Sequence, residues 1–127
     1  MPEISLFFGA LLAVVQIPMT LAVGFRRRSL GISFLDGGDK VLLKRMRAHA
    51  NFTETVPVAI IAMAGAEVFG LSEHYLWVGG CLILFGRLAH YLVVQKSDSG
   101  AIRFAMMLFT LVPIAGFALS AIYSFLT

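Results

Sequence analysis

Long apolar runs alternate with short polar segments along this chain, and the lengths of the runs predict four long helices. Ile4 to Phe25 carries no charged residue and is long enough, at about 1.5 Å per residue, to cross a hydrocarbon core of about 30 Å. Gln16 and Pro18 lie inside it and read as packing features that a helix in a bundle absorbs. A loop is expected over 26–39, ending in Asp36, Gly37, Gly38 and Asp39, after which Asp39 can cap a helix beginning at Lys40. This second helix should be basic and amphipathic from Lys40 to Arg47, where it projects beyond the headgroups, and buried from about Asn51 to Phe69.

Glu67, Gly70, Ser72 and Glu73 mark the next turn, and His74, Tyr75 and Trp77 after it resemble an interfacial aromatic belt. The charge-free stretch from His74 to Gly86 is too short to span alone, so the third helix carries Arg87 and His90 in or near the membrane before ending near Gln95. Lys96 to Gly100 is a polar turn in which Ser97, Asp98 or Ser99 can cap a fourth helix, uncharged after Arg103. The expected architecture is all-α: one domain over 1–127, a four-helix transmembrane bundle with spans near 4–25, 48–69, 74–95 and 102–125. No internal repeat or low-complexity segment interrupts it.

Composition agrees with a membrane protein. Of 127 residues, 59% are hydrophobic and 13% charged, with mean hydropathy +0.89, whereas a soluble domain carries about 25% charged residues. The net charge of +3 would raise nucleic acid as a partner if the cations formed a patch of their own. They do not: Arg26, Arg27, Arg28, Lys40, Lys44, Arg45 and Arg47 gather around one connection, and Lys96 and Arg103 flank another. That is a topology signal, not a nucleic-acid footprint. It predicts a multi-pass membrane protein with both connections cytoplasmic and both termini on the other side, outside the cytoplasm or in a lumen. No basic n-region precedes the first apolar run and it has no obvious small-residue cleavage site, so it reads as an anchor and not a signal peptide. Cys81 is the single cysteine, which excludes an intrachain disulfide, and no metal-ligand spacing, phosphate loop or nucleophile-base pair occurs.

Candidate chemistry concentrates at the start of the second helix. Arg47, Asn51 and Glu54 fall at i, i+4 and i+7 on one helical face. An isolated carboxylate beside the apolar run from Val56 to Ala64 would be costly unless paired, with Arg47 or with Arg87 across the bundle. Two readings stay open. In one, Arg87 pairs with Glu54 and the remaining arginines snorkel to headgroups, with no ligand. In the other, arginines, amide and carboxylate form a site for a small zwitterion bearing two carboxylates and an amine, and Arg103, near a helix start, holds an anion such as a thiolate. His49 lies off the stripe and reads as an interfacial or interhelical hydrogen-bonder; His90 lies near the Arg87 face.

Arg47, Ala48, His49, Ala50, Asn51, Phe52, Thr53 and Glu54 with Pro57, the preceding Gly37-Gly38-Asp39, and Gly86-Arg87 with His90 together resemble the MAPEG family, membrane-associated proteins in eicosanoid and glutathione metabolism. The resemblance covers essentially the whole chain and is to a short, bacterial-type member. It implies a homotrimer of four-helix subunits in the lipid bilayer, with glutathione as co-substrate bound between subunits at the cytoplasmic side and a small lipophilic electrophile as substrate. By the same resemblance Arg47, Asn51, Glu54 and His90 match glutathione-contacting positions, Arg26 matches a first-helix arginine, and Arg103 matches the arginine that stabilises the thiolate in the family's prostaglandin synthase. The expected activity is glutathione transferase or peroxidase. The alternative is a non-enzymatic protein of the same fold that binds another small anion or serves a structural role. The chain departs from the synthase at Ala50, where that enzyme has an arginine, at Val94 and Met107, where it has tyrosines, and at Phe104, where it has a serine.

Overall fold

The computed structural model describes residues 1–127 and contains four α-helices and no strand. Helix α1 is Glu3–Leu30, α2 is Lys40–Val68, α3 is Glu73–Lys96 and α4 is Gly100–Leu126. α2 packs on each of the other three; α3 lies along α4, and α1 reaches α3 but not α4. Helices α1, α3 and α4 are long and apolar enough to cross a membrane. α2 is as long, at 29 residues, but its polar stripe and Glu67 make it the least apolar of the four. Only 21 of 127 residues are buried, while Val14, Phe25, Ile61, Val112 and Leu119 are all more than half exposed. An outer surface so apolar suits lipid and not water. The thin core between the helices is built from Phe8, Leu12, Met63, Leu76, Ile83 and Phe117.

The four expected helices are present, with one displaced boundary. α1 runs on through Arg26, Arg27 and Arg28 to Leu30, where a loop was expected. The three arginines sit favourably at the negative end of the helix dipole. Gly31, at φ 65°, ends the helix, and the N–H of Ile32 donates back to the Arg27 carbonyl at 3.0 Å, the closure that glycine permits in the left-handed region. At the start of α2, Asp39 caps as expected, its Oδ1 accepting from the Leu42 N–H at 2.6 Å. At the start of α4 the cap is Ser99.

The N-terminus of α1 is capped from another helix. Its own N-cap position, Pro2, offers no side-chain acceptor, and the carboxylate of Glu67, in the last turn of α2, accepts from the backbone N–H groups of Ile4 at 2.9 Å and Ser5 at 2.8 Å and from the Ser5 hydroxyl at 2.5 Å. A negative charge against the positive end of the α1 dipole thus pins two helix ends together. Glu67→Ala leaves the fully buried Ser5 and two helix N–H groups without that partner, an expected loss of about 1–3 kcal/mol. Thermal unfolding in detergent should show the loss, and Glu67→Gln, which retains an acceptor, should recover part of it.

α3 approaches α4 closely because of Gly86. A Cβ there would lie 2.8 Å from the Phe109 Cβ and 2.9 Å from the Thr110 Oγ1, so only glycine lets the two backbones come this near. The approach places the next residue, Arg87, directly against Thr110.

Candidate functional site

Two polar centres lie toward the end of the bundle where α1 meets α2. The first is buried. Arg87 on α3, 2% exposed, donates from Nε to the Thr110 Oγ1 at 2.8 Å, from Nη1 to the Asn51 Oδ1 at 2.6 Å and from Nη2 to the Met107 Sδ at 3.1 Å. The guanidinium therefore ties α3 to α2 and α4 through neutral acceptors alone. His90, one turn further along α3, is also buried.

The expected pairings of Glu54 are not made. The ion pairs of the protein are Arg26 with Asp39 and Lys44 with Asp98, and Glu54, expected to be mostly buried, is exposed on the outer face of α2. Geometry accounts for both. Arg47 lies seven residues earlier, about 10 Å along the axis, and Arg87 is turned toward α4, where the gap left by Gly86 admits it.

The second centre is a cavity of about 550 Å³ between the first turns of α2 and the α3–α4 turn. Lys40, Lys44, Arg47 and Arg103 bring four cations to its wall, with Gln95 and Asp98 beside them. The one carboxylate is already engaged, at 2.9 Å from the Lys44 Nζ, and that hydrogen bond holds Asp98 below the usual aspartate range. The Nε of Arg103 and Nε2 of Gln95 are buried without a hydrogen-bond partner. A wall of four cations is chemically complementary to a small anion with several acceptor oxygens. The volume falls within the span of about 300–1,000 Å³ typical of small-molecule sites.

Of the residues singled out in the sequence, the structure brings Arg47 and Arg103 together at this cavity. Asn51 is committed to Arg87, Glu54 faces outward and His90 is packed among the helices; none of the three lines the cavity. Arg26 is held at the head of α2 by Asp39, Nε to Oδ1 at 3.1 Å and Nη2 to Oδ2 at 2.7 Å. This pair holds the Asp39 carboxyl below its ordinary value of 3.8, with the Leu42 N–H adding to the effect. A depressed carboxyl stabilises the fold above its unfolded pKa and loses that contribution as pH falls through the lower folded value, so the Arg26 clamp is intact across neutral pH. His49 meets Thr20 of α1, Oγ1 to Nε2 at 2.9 Å, the interhelical one of the two roles its position suggested.

Lys40, Lys44, Gln95 and Asp98 were not anticipated as site residues. For the two lysines a signal was present: Lys40, Lys44 and Arg47 repeat the i, i+4, i+7 spacing of Arg47, Asn51 and Glu54, extending one stripe two turns toward the helix start. Nothing in the spacing of Gln95 and Asp98 relates them to α2.

Comparison with known proteins agrees with this architecture. The MAPEG family model matches residues 5–123. Inner membrane protein YecN of Escherichia coli (strain K12) is 30% identical over 88 residues, covering 69% of this chain and 67% of that protein. The protein of the same name in Escherichia coli O6:H1 is equally similar, 30% over 88 residues. A four-helix bundle with three strongly apolar helices, the polar stripe on α2 and a family match running almost from end to end identify this chain as a member of the MAPEG family.

Proposed function

We propose that the protein is a membrane-embedded glutathione transferase or peroxidase, acting on a lipophilic electrophile that reaches the site from the bilayer. The observation that carries this reading is the cavity wall that Arg103 shares with Lys40, Lys44 and Arg47, four cations gathered around one space of small-molecule size. Glutathione presents two carboxylates to such a wall, which leaves Arg103 to stabilise the thiolate. In transfer, the thiol gives its proton to solvent, sulfur bonds the electrophilic carbon and the leaving group departs with the bond electrons. In peroxide reduction, two thiols are oxidised to a disulfide while the hydroperoxide is reduced to an alcohol and water.

An assembly of three copies fits the outer face of α2. Arg47, Glu54, Val58 and Ile61 share one helical arc and all are exposed in the single chain, and an ionised Glu54 facing hydrocarbon would be costly. Neighbouring subunits would cover this arc and bring Glu54 toward a ligand held between them, as the family resemblance implies. The name of the Escherichia coli relatives supports an inner-membrane location. The gathering of cations between α1 and α2 supports a cytoplasmic site with both termini opposite.

A non-enzymatic anion-binding role is the second reading. It is favoured by Met107, whose sulfur is occupied by Arg87, and by Val94, an apolar side chain in the cavity wall where the synthase has a glutathione-contacting tyrosine. Calorimetry with glutathione on the purified protein in detergent separates the two. Saturable binding, reduced at least ten-fold by Arg47→Ala in line with a lost charge-assisted contact, is the expected result. Absence of binding would leave the anion-binding reading.

A further inference from the structure

The loop between α1 and α2 displays an apolar pair at its tip. Phe34 is 85% and Leu35 76% exposed, whereas Ile32, two residues before Phe34, lies over Gly37, where a Cβ would collide with the Ile32 Cδ1. The loop is held from several directions. Arg27 donates to the Ser33 carbonyl at 2.9 Å, the Asp39 N–H donates to the Asp36 carbonyl at 2.9 Å, and the Arg26–Asp39 pair closes its base. Leu35 sits at φ 57°, a left-handed conformation that a branched side chain adopts only under constraint. The pair is therefore displayed on a constrained backbone. On either side stand Arg28 and Lys40, both exposed and neither in an ion pair of the chain.

We propose that this loop is a bilayer anchor, with Phe34 and Leu35 seated at the boundary of acyl chains and headgroups and with Arg28 and Lys40 on the phosphates of anionic lipid. An apolar wedge flanked by cations is complementary to that depth of a membrane, where aromatic rings partition and basic side chains gain from negative surface potential. The helices on both sides bring the loop to the end of the bundle, so no second membrane or soluble partner is needed to supply the surface. The anchor would fix the height of the cationic cavity relative to the headgroups, since Lys40 both flanks the loop and lines the cavity. The inference concerns lipid contact and holds whether or not glutathione binds.

The test uses the full chain in nanodiscs, with Phe34→Trp introduced into a Trp77→Phe background so that one indole reports. With phosphatidylcholine and phosphatidylglycerol together, emission should shift to the blue and be quenched by lipids brominated near the headgroup. With phosphatidylcholine alone the quenching should be weaker, and Arg28→Gln with Lys40→Gln should abolish the difference between the two lipid compositions. Emission that stays red-shifted and open to acrylamide in both compositions would overturn the anchor. Protection from both acrylamide and brominated lipid would overturn it equally, because a protein surface would then cover the loop. Hydrogen exchange of residues 31–38 in the unmodified chain gives the same answer without substitutions: slower exchange with the anionic lipid is expected, and equal exchange in both compositions counts against it.

Discussion

Arg87→Ala should give a protein that fails to accumulate in the membrane or unfolds far below the parent in detergent. The guanidinium is 2% exposed and joins α3 to Asn51 of α2 and to Thr110 and Met107 of α4. Truncation removes those links, leaves the fully buried Thr110 hydroxyl without its donor and opens a hole at the α3–α4 contact. Cavity and unsatisfied group together should cost about 3–5 kcal/mol, a large share of the stability of a small bundle. Arg87→Met tests the cause, since it refills the volume with an unbranched side chain while removing the charge. If packing dominates, Met should recover most of the stability, as replacing buried charges by apolar volume often does. If Met is as damaging as Ala, the hydrogen bonds to Asn51 and Thr110 are what the bundle needs. An alanine variant that expressed and melted like the parent would refute the structural role altogether. Glu54→Gln, by contrast, should fold normally, because Glu54 has no partner in the chain to orphan.

Arg103→Ala should lower turnover much more than it lowers glutathione affinity. The charge that its guanidinium faces under the proposed mechanism appears only as the thiol ionises, so the interaction strengthens in the transition state, and removing one such donor typically costs about 10²–10³ in kcat. Arg47→Ala should do the reverse. Its charge meets a carboxylate present in both ground and transition states, so KM rises about 10–100-fold while kcat is largely kept. Steady-state conjugation of an aryl halide and reduction of a lipid hydroperoxide, each at fixed pH in detergent, distinguish the two profiles. Equal loss of affinity in both variants would make Arg103 an anion clamp and nothing more. A parent protein inert toward every electrophile would favour the non-enzymatic reading.

Much of this was legible in the sequence because it depends on local or one-dimensional properties. Charge-free stretches such as Ile4 to Phe25 set helix length against bilayer thickness, Asp39 before Lys40 announces its cap, and the spacing of Arg47, Asn51 and Glu54 fixes a stripe on one helix face whatever the helix packs against. The MAPEG resemblance rested on that stripe and on Gly86, Arg87 and His90, and the family match over 5–123 agrees with it. The end of α1 was misplaced because three arginines were read as a loop, although at a helix C-terminus cations are welcome.

What a residue pairs with was decided in three dimensions. Charge alone offered Glu54 as the partner of Arg87, but the missing Cβ of Gly86 lets α4 approach, and Thr110, Met107 and Asn51 fill the guanidinium's reach instead. Glu67 looked like a turn residue, and only the packing of α2 beside α1 turns it toward the N–H groups of Ile4 and Ser5. The cavity likewise depends on the α3–α4 turn folding back onto the first turns of α2, which sets Asp98 against Lys44 and Arg103 near Arg47 across more than fifty residues of sequence. Helices are specified by neighbours three and four residues apart; the site is specified by which helix faces meet, and that follows from side-chain volume at their crossings.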